Sequence, residues 1–390
     1  MRVAILLEQL LGPVPGGTGR YSRELAAALG EHARRAAPSA TLTGWVAAHR
    51  DVSAALVPGV AGPRRLPLPL PLLNRLAGLG RGPGPRRADV VLAPTMLVPP
   101  RRRTPLVVTL HDLVPWTHPE TMTPHGARWH RAIGERVART ADAVLVPTRA
   151  VAAELPRWLP ALDAARVHVT GEGTSAAVTT LPADVGGRAR ALGLPWRYLL
   201  SVATLEPRKG LDVALRALAD LPPDLPLLLA GQPGWGGVDP LAEARGLGLD
   251  PGRVRLLGRL DDADLAVALA GAAAVLVPSR AEGFGLPVVE AMALGTPVVI
   301  SDAPALVEVA GGAAEVAPVG DPVALAAATL RAADPAVRAE RAARGRARAA
   351  EHTWAAAAAA TWAVLADAAA RGAHPAATPR DPGVRGRPPA

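Results

Sequence analysis

Short runs of Val, Leu, Ile and Ala recur along the chain, and helix-length amphipathic or Ala-rich segments separate most of them. A strand that is apolar at every position has both faces buried, which is the situation of a parallel sheet covered by helices on each side. The alternation therefore predicts βαβ units. In the first half, strands are expected at Arg2–Leu7, Thr41–Ala47, Ala88–Leu92, Pro105–Leu110, Ala143–Val146 and Arg166–Val169, with helices near Arg20–Leu29, Pro124–Thr140 and Ala150–Leu159. The second half repeats the pattern with strands at Tyr198–Val202, Leu227–Ala230, Val254–Leu257, Ala274–Val277 and Pro297–Ile300. Its helices are expected near Gly210–Ala219, Pro240–Gly246, Asp262–Ala270, Pro287–Leu294, Pro322–Ala332 and Pro335–Ala349.

At 390 residues the chain is long enough for two such domains. The polar, Gly-containing stretch Gly171–Pro195 divides them. The expected boundaries are 1–175 and 197–352 for two doubly wound α/β domains, with a linker at 176–196. An Ala-rich helix at 353–372 is expected to return to the first domain, and a Pro/Gly/Arg-rich tail at 373–390 to lack structure. Ligands of such domains sit at the carboxyl ends of the strands, here in the cleft where the two domains face each other.

Composition excludes several classes of function. The chain has no cysteine, so thiolate metal sites, disulfide scaffolds and Cys nucleophiles are ruled out. A net charge of +9 would suit a nucleic-acid partner, but aromatic residues make up only 3% and leave little for base stacking. All 43 basic residues are Arg except Lys209, which reflects a general skew of the sequence towards Arg, Ala, Gly and Pro. No nucleic-acid partner is expected, and the single lysine stands out. Glu8 interrupts the apolar run after Arg2 and no small-residue cleavage site follows, so the chain reads as cytoplasmic. Residues 60–87, rich in Pro, Leu and Arg, read either as a surface loop or as a basic amphipathic patch against anionic lipid. The basic 60–103 region thus admits peripheral contact with the inner membrane surface.

Chemistry concentrates in four stretches. Val275–Val299 reads as strand, loop, helix, turn and strand. Gly283 and Gly285 allow positive φ and close backbone approach, and Pro287 suits a first helical position. The free amides around Phe284, Gly285 and Leu286 suit a phosphate. Glu282 and Glu290 flank that anion site, where ionised carboxylates can accept hydrogen bonds from sugar hydroxyls. The plainer alternative is a helix start that favours acids. Ser201–Leu211 places Arg208 and Lys209 at a strand's carboxyl end, facing the cleft and suited to a diphosphate. Gly12–Arg20 holds Gly16, Gly17 and Gly19 in a loop that resembles a phosphate cradle without the G-x-G-x-x-G spacing. His111–Glu120 follows a strand directly, which puts His111 at the same cleft. Asp261–Asp264 reads as an N-cap and not as a metal site, and Gly258, Arg259 and Leu260 just before it are placed to meet a nucleobase.

Taken together, EGFGLPVVEAMALGTPVV (Glu282 to Val299), ATLEPRKG (Ala203 to Gly210) and HDLVPWTHPE (His111 to Glu120) resemble glycosyltransferase family 4, also called group 1. The match looks nearest its mannosyltransferase-like bacterial polysaccharide branch. The resemblance implies the GT-B architecture, with an acceptor-binding first domain and a second domain for a nucleotide-sugar donor. It implies transfer of a hexose, mannose-like, with retention of configuration and without a bound metal or other cofactor. The acceptor would be a glycan or lipid-linked carbohydrate. It puts Glu282 at the donor sugar hydroxyls, Phe284–Leu286 amides at the sugar and phosphate, Glu290 at the ribose, and Arg208 and Lys209 at the diphosphate. His111 would sit near the transferred sugar, and Gly16 and Gly17 near the diphosphate or acceptor. Where that branch often has Asn after the Lys, this chain has Gly210. Two other classes remain open: a sugar-nucleotide epimerase of the same fold, and a non-catalytic nucleotide-sugar-binding protein.

Overall fold

The computed structural model describes residues 1–79, 81–99 and 104–373, so all but the first residue of the expected tail lies outside the described residues. Seven parallel strands form the first sheet: β1 (Arg2–Leu6), β2 (Thr41–Val46), β3 (Ala61–Arg65), β4 (Val90–Ala93), β5 (Leu106–Thr109), β6 (Ala143–Val146) and β7 (Val167–Val169). Their spatial order is β3-β2-β1-β4-β5-β6-β7. Six more parallel strands form the second sheet: β8 (Leu199–Val202), β9 (Leu227–Ala230), β10 (Val254–Gly258), β11 (Ala274–Val277), β12 (Val298–Ser301) and β13 (Glu315–Ala317). Here the order is β10-β9-β8-β11-β12-β13. In both sheets the strand order reverses beside the first strand, between β1 and β4 and between β8 and β11. Adjacent connections leave in opposite directions at such points and open a crevice at the strands' carboxyl ends.

The central strands β4, β5, β6, β9, β11 and β12 are buried along their whole length, as continuous apolar runs require. Two strands are additions to the sequence reading, and both lie at sheet edges. β3 carries Pro63 and two arginines and is mostly exposed, and an edge tolerates such residues because one side of the strand makes no ladder. Part of the 60–87 segment is therefore sheet, and a helix, Leu70–Gly78, occupies another part. β13 has only three residues, too few for a pattern.

The stretch expected to be a linker is folded onto the second sheet's layer. It contains the helices Ala176–Thr179 and Val185–Ala191, both packed against the helix Asp262–Gly271. Val178 is completely buried there, and Arg188 pairs with Asp264 at 2.6 Å. Polar composition concealed this because one apolar anchor and one ion pair suffice to dock so short a segment.

The last helix, Trp354–Ala373, packs on the helix Gly16–Ala36 and on β4, β5 and β6 of the first sheet. Trp354 anchors its start, buried with its ring edge-on to Tyr21 at 5.7 Å between centroids. Truncating a buried Trp forfeits about 3–5 kcal/mol. Trp354→Ala is therefore expected to lower unfolding free energy by about that amount in urea titrations, whereas a surface substitution such as Leu330→Ala should change it little.

Candidate active site

The loop after β8 and the loop after β11 meet at the reversal point of the second sheet. Glu282 lies buried between two cations: its carboxylate accepts from Arg208 Nη1 at 2.8 Å and from Lys209 Nζ at 2.6 Å. Ser279 Oγ donates to the same carboxylate at 2.8 Å. Burial alone would push the Glu282 pKa up, but Arg208 and Lys209 outweigh it and hold the group at about 2. Arg208 is further fixed by Glu206, at 2.6 Å from Nη2, and donates to the Ala281 carbonyl at 3.0 Å. The cluster of two cations and two carboxylates carries no net charge. Lys209 nonetheless spends only one of its three donors on Glu282 among the described residues, which leaves two for an incoming anion.

The backbone explains the glycines of these loops. Gly210 is left-handed at φ 64°, and a Cβ there would stand 2.1 Å from the Pro278 carbonyl oxygen, so the Asn common in the related branch would not fit. Gly285 is left-handed at φ 99° and caps the helix Leu286–Leu294, whose first amides receive no side-chain cap. Of the two properties expected of Gly283, close backbone approach holds and positive φ does not. Glycine is required there by proximity, since a Cβ would lie 1.7 Å from the His111 carbonyl oxygen.

That contact brings the first lobe to the site. His111 follows β5, donates from Nε2 to the Pro94 carbonyl at 2.8 Å, and has Nδ1 3.7 Å from the Glu172 carboxylate. Burial would lower the His111 pKa, but Glu172 raises it; burial also pushes Glu172 upward. The pair therefore retains a proton well above the ordinary carboxylate range. Thr148 Oγ1 donates across the gap to the Gly283 carbonyl at 3.0 Å, and the Glu308 carboxylate accepts from the amides of Arg149 and Ala150 at 2.9 and 2.7 Å. Trp235 Nε1 donates to the Thr121 carbonyl at 2.8 Å.

Glu290 is buried, and its Oε1 has no hydrogen-bond partner. The nearest cation is Arg20 of the first lobe, whose Nε is 3.8 Å away while its Nη2 holds Asp262 at 2.7 Å. Burial raises the Glu290 pKa to about 7, against a partial lowering by Arg20. An unpaired buried carboxyl oxygen is costly to keep, and Glu290 Oε1 is the carboxyl oxygen among the six unpaired buried side-chain atoms of the described residues.

The structure thus brings Glu282, Arg208, Lys209, His111 and Glu290 around one interlobe gap. The amides of Phe284, Gly285 and Leu286 start the helix beside them, while the Phe284 ring is turned away and buried edge-on to His352. Gly16 and Gly17 belong to the first turn of the helix Gly16–Ala36 and not to a loop ahead of it, because Pro15 already accepts the first helical bond from Gly19. Both are exposed, with open space where a Cβ would stand. Gly258 ends β10 with φ 68°, followed by exposed Arg259 and half-buried Leu260, and these three make no contact with the charged cluster that the structure records. Asp261 caps its helix by accepting from the Asp264 amide at 2.7 Å. Arg20, Glu172 and Ser279 escaped the sequence reading. Ser279 stood three residues before Glu282 in an identified motif, but Arg20 was one arginine among many and Glu172 fell in the stretch taken for a linker.

Two doubly wound parallel-sheet lobes meeting through their switch-point loops are the GT-B architecture. A family model described as glycosyl transferases group 1 matches residues 197–334, and one described as Glycosyltransferase Family 4 matches residues 15–176. O-antigen chain mannosyltransferase B of Escherichia coli is 33% identical over 262 residues, 65% of this chain and 68% of that protein. A D-inositol 3-phosphate glycosyltransferase of Mycobacterium tuberculosis (strain F11) is 36% identical over 207 residues, 51% of this chain but only 42% of that protein. Among solved structures, sucrose-phosphate synthase from Thermosynechococcus elongatus superposes with a TM-score of 0.71 at 23% identity, covering 94% of this chain and 98% of that one. HepE of Anabaena, solved with UDP and glucose, gives a TM-score of 0.70 at 22% identity, covering 94% of this chain and all (100%) of that one. The chain belongs to the group 1, family 4 glycosyltransferases, and it is a glycosyltransferase.

The Glu290 carboxyl makes stability depend on pH in a definite direction. The folded protein keeps this proton up to about pH 7, whereas the unfolded chain releases it near 4.5. Stability therefore falls as pH rises through that window, by about 3 kcal/mol in all. Glu290→Gln should remove this dependence, giving a higher melting temperature than wild type at pH 8 and an equal one at pH 4. Identical pH profiles for the two proteins would show that Glu290 is not held neutral.

Proposed function

We propose that this enzyme transfers a hexose, mannose-like, from a nucleoside-diphosphate sugar to a glycan or lipid-linked acceptor, with retention of configuration and without a metal ion. The observation that carries the reading is the buried Glu282 held by Arg208 and Lys209 beside an uncapped helix start, at the point where β8 and β11 diverge. Among the described residues no group of three or more His, Asp or Glu is placed to hold a metal. In this reading the work of stabilising a departing diphosphate falls to Lys209, Arg208 and the amides of Gly285 and Leu286. Kinship with the mannosyltransferase supports the hexose, and HepE's UDP and glucose support a nucleotide sugar as the donor class.

In this reading Glu282 accepts hydrogen bonds from the sugar hydroxyls, and Glu290 Oε1 takes a ribose hydroxyl in place of its missing partner. Gly16 and Gly17 approach the diphosphate or acceptor, and Gly258, Arg259 and Leu260 the base. His111, fixed by Pro94 and Glu172, presents its edge near the transferred sugar. An acceptor oxygen bonds to the anomeric carbon on the face from which the bond to the β-phosphate breaks. The acceptor's proton passes to a phosphate oxygen, and nucleoside diphosphate leaves. Because attack and departure share one face of the anomeric carbon, configuration is retained.

No helix among the described residues is long and apolar enough to cross a membrane; in this reading a lipid-linked acceptor is met at the membrane surface. We assign the reaction to the cytoplasm and to bacterial polysaccharide assembly on the strength of the mannosyltransferase kinship.

Removing one charge-stabilising contact typically costs about 2.7–4 kcal/mol in the barrier. Lys209→Ala is expected to lower turnover at least tenfold while the fold survives, because Arg208 and Ser279 still hold Glu282. Near-normal transfer by the folded variant would refute the role. A thermal-shift panel of nucleoside diphosphates and their sugars should identify the donor, since a ligand at 100 times its dissociation constant adds about 2.7 kcal/mol of stability. An inverted product anomer by NMR would overturn retention. An epimerised free sugar released without acceptor would point to the epimerase.

A further inference from the structure

Along the first sheet, well away from the interlobe gap, a cavity of about 210 Å³ opens near the amino ends of β1 and β2. Its lining holds Arg2, Arg64, Arg86 and Arg87 together with Trp45 and Thr43. The strand register explains the gathering. Arg2 pairs with Thr41 and Ala4 with Thr43 on β1 and β2, and Trp45 pairs with Arg64 across β2 and β3. Arg86 and Arg87 come from the segment that leads into β4. We propose that this cavity is a binding site for a phosphoryl group, separate from the interlobe site.

Charge is the first support. Asp89 is the carboxylate paired here, and it is spent on Arg2, accepting from the amide at 2.7 Å and from Nη2 at 2.6 Å. Arg64, Arg86 and Arg87 line this one cavity, are exposed, and make no ion pair among the described residues, so all three guanidinium groups are available to an anion from solvent. An anion bound here would gain from several cations at once, and guanidinium forks match phosphate oxygens bidentately. Arg64 lies over the Trp45 ring at 5.9 Å, which orients its fork at the cavity wall.

Backbone conformation is the second support. Arg87 has φ 57° and is the one residue other than glycine with left-handed backbone among the described residues. An L side chain pays to adopt that conformation, and glycine would hold it freely. Keeping a cation at a position that glycine fits better suggests use of the side chain. The cavity is smaller than the roughly 300–1,000 Å³ of pockets that enclose whole organic ligands. It suits a phosphoryl group whose carrier stays outside, whether a free phosphorylated compound or the headgroup of an anionic lipid.

The test titrates inorganic phosphate into wild type, Lys209→Ala and the double variant Arg64→Gln/Arg86→Gln, followed calorimetrically and by Trp45 fluorescence against a Trp45→Phe control. Binding at this cavity is expected to persist in Lys209→Ala and to weaken at least tenfold in the double variant, whose altered side chains are exposed. A second arm measures sedimentation with phosphatidylcholine vesicles with and without phosphatidylglycerol. Binding to free phosphate marks a soluble phosphorylated ligand. Binding to the anionic vesicles alone, lost in the double variant, marks a lipid headgroup. Arg87→Gly serves as an independent check, with a raised melting temperature and reduced anion affinity expected together. Wild type that binds neither probe, or binding that survives the double variant, overturns the proposal.

Discussion

Glu282 is a carboxylate with almost no access to water, and such a group persists in charged form only with partners close at hand. Arg208 and Lys209 supply them from the loop after β8, while Glu282 and Ser279 arrive on the loop after β11. The ion cluster therefore ties the two loops that diverge at the sheet's reversal point. Removing one partner of a buried pair leaves an uncompensated charge at a cost of about 3–5 kcal/mol. The rest of the site is arranged around that constraint: Gly210 must be left-handed to bring the loop under Pro278, and Arg280 holds the same loop through the Pro207 carbonyl and Asp212.

Polar contacts join the two lobes beside a buried apolar cluster that draws residues from both. Thr148 on Gly283, Glu308 on the amides of Arg149 and Ala150, and Trp235 on Thr121 are hydrogen bonds to backbone groups. Such directional contacts fix the register of the loops that meet at the gap. Arg20 is the most telling of the links, since it reaches from the first lobe to Asp262 and towards Glu290. A hydroxyl-bearing ligand at Glu290 would sit directly between the two lobes.

Much of this could be read from residues alone. Eleven of the thirteen strands were legible, the nine interior ones because burial on both faces forces apolar runs. Edge strands β3 and β13 were not, since an edge admits Pro, Arg and brevity. The charged loops were legible because Gly, Pro and paired carboxylates stood next to one another in sequence. The docking of residues 176–191 was not, because it depends on Val178 and Arg188 finding a helix far along the chain.

The sequence by itself determined eleven of the thirteen strands, the turn at Gly285, and that an acidic pair and an Arg–Lys pair sit at the carboxyl ends of strands. Those properties are local, decided by residues a few positions apart. Only the tertiary structure decided that Glu282 pairs with both cations, that Gly283 is required by the His111 carbonyl, and that Glu290 keeps a bare oxygen facing Arg20. Each depends on distances between residues tens to hundreds of positions apart, and desolvation together with Coulomb attraction across such contacts has no signature in the order of the residues.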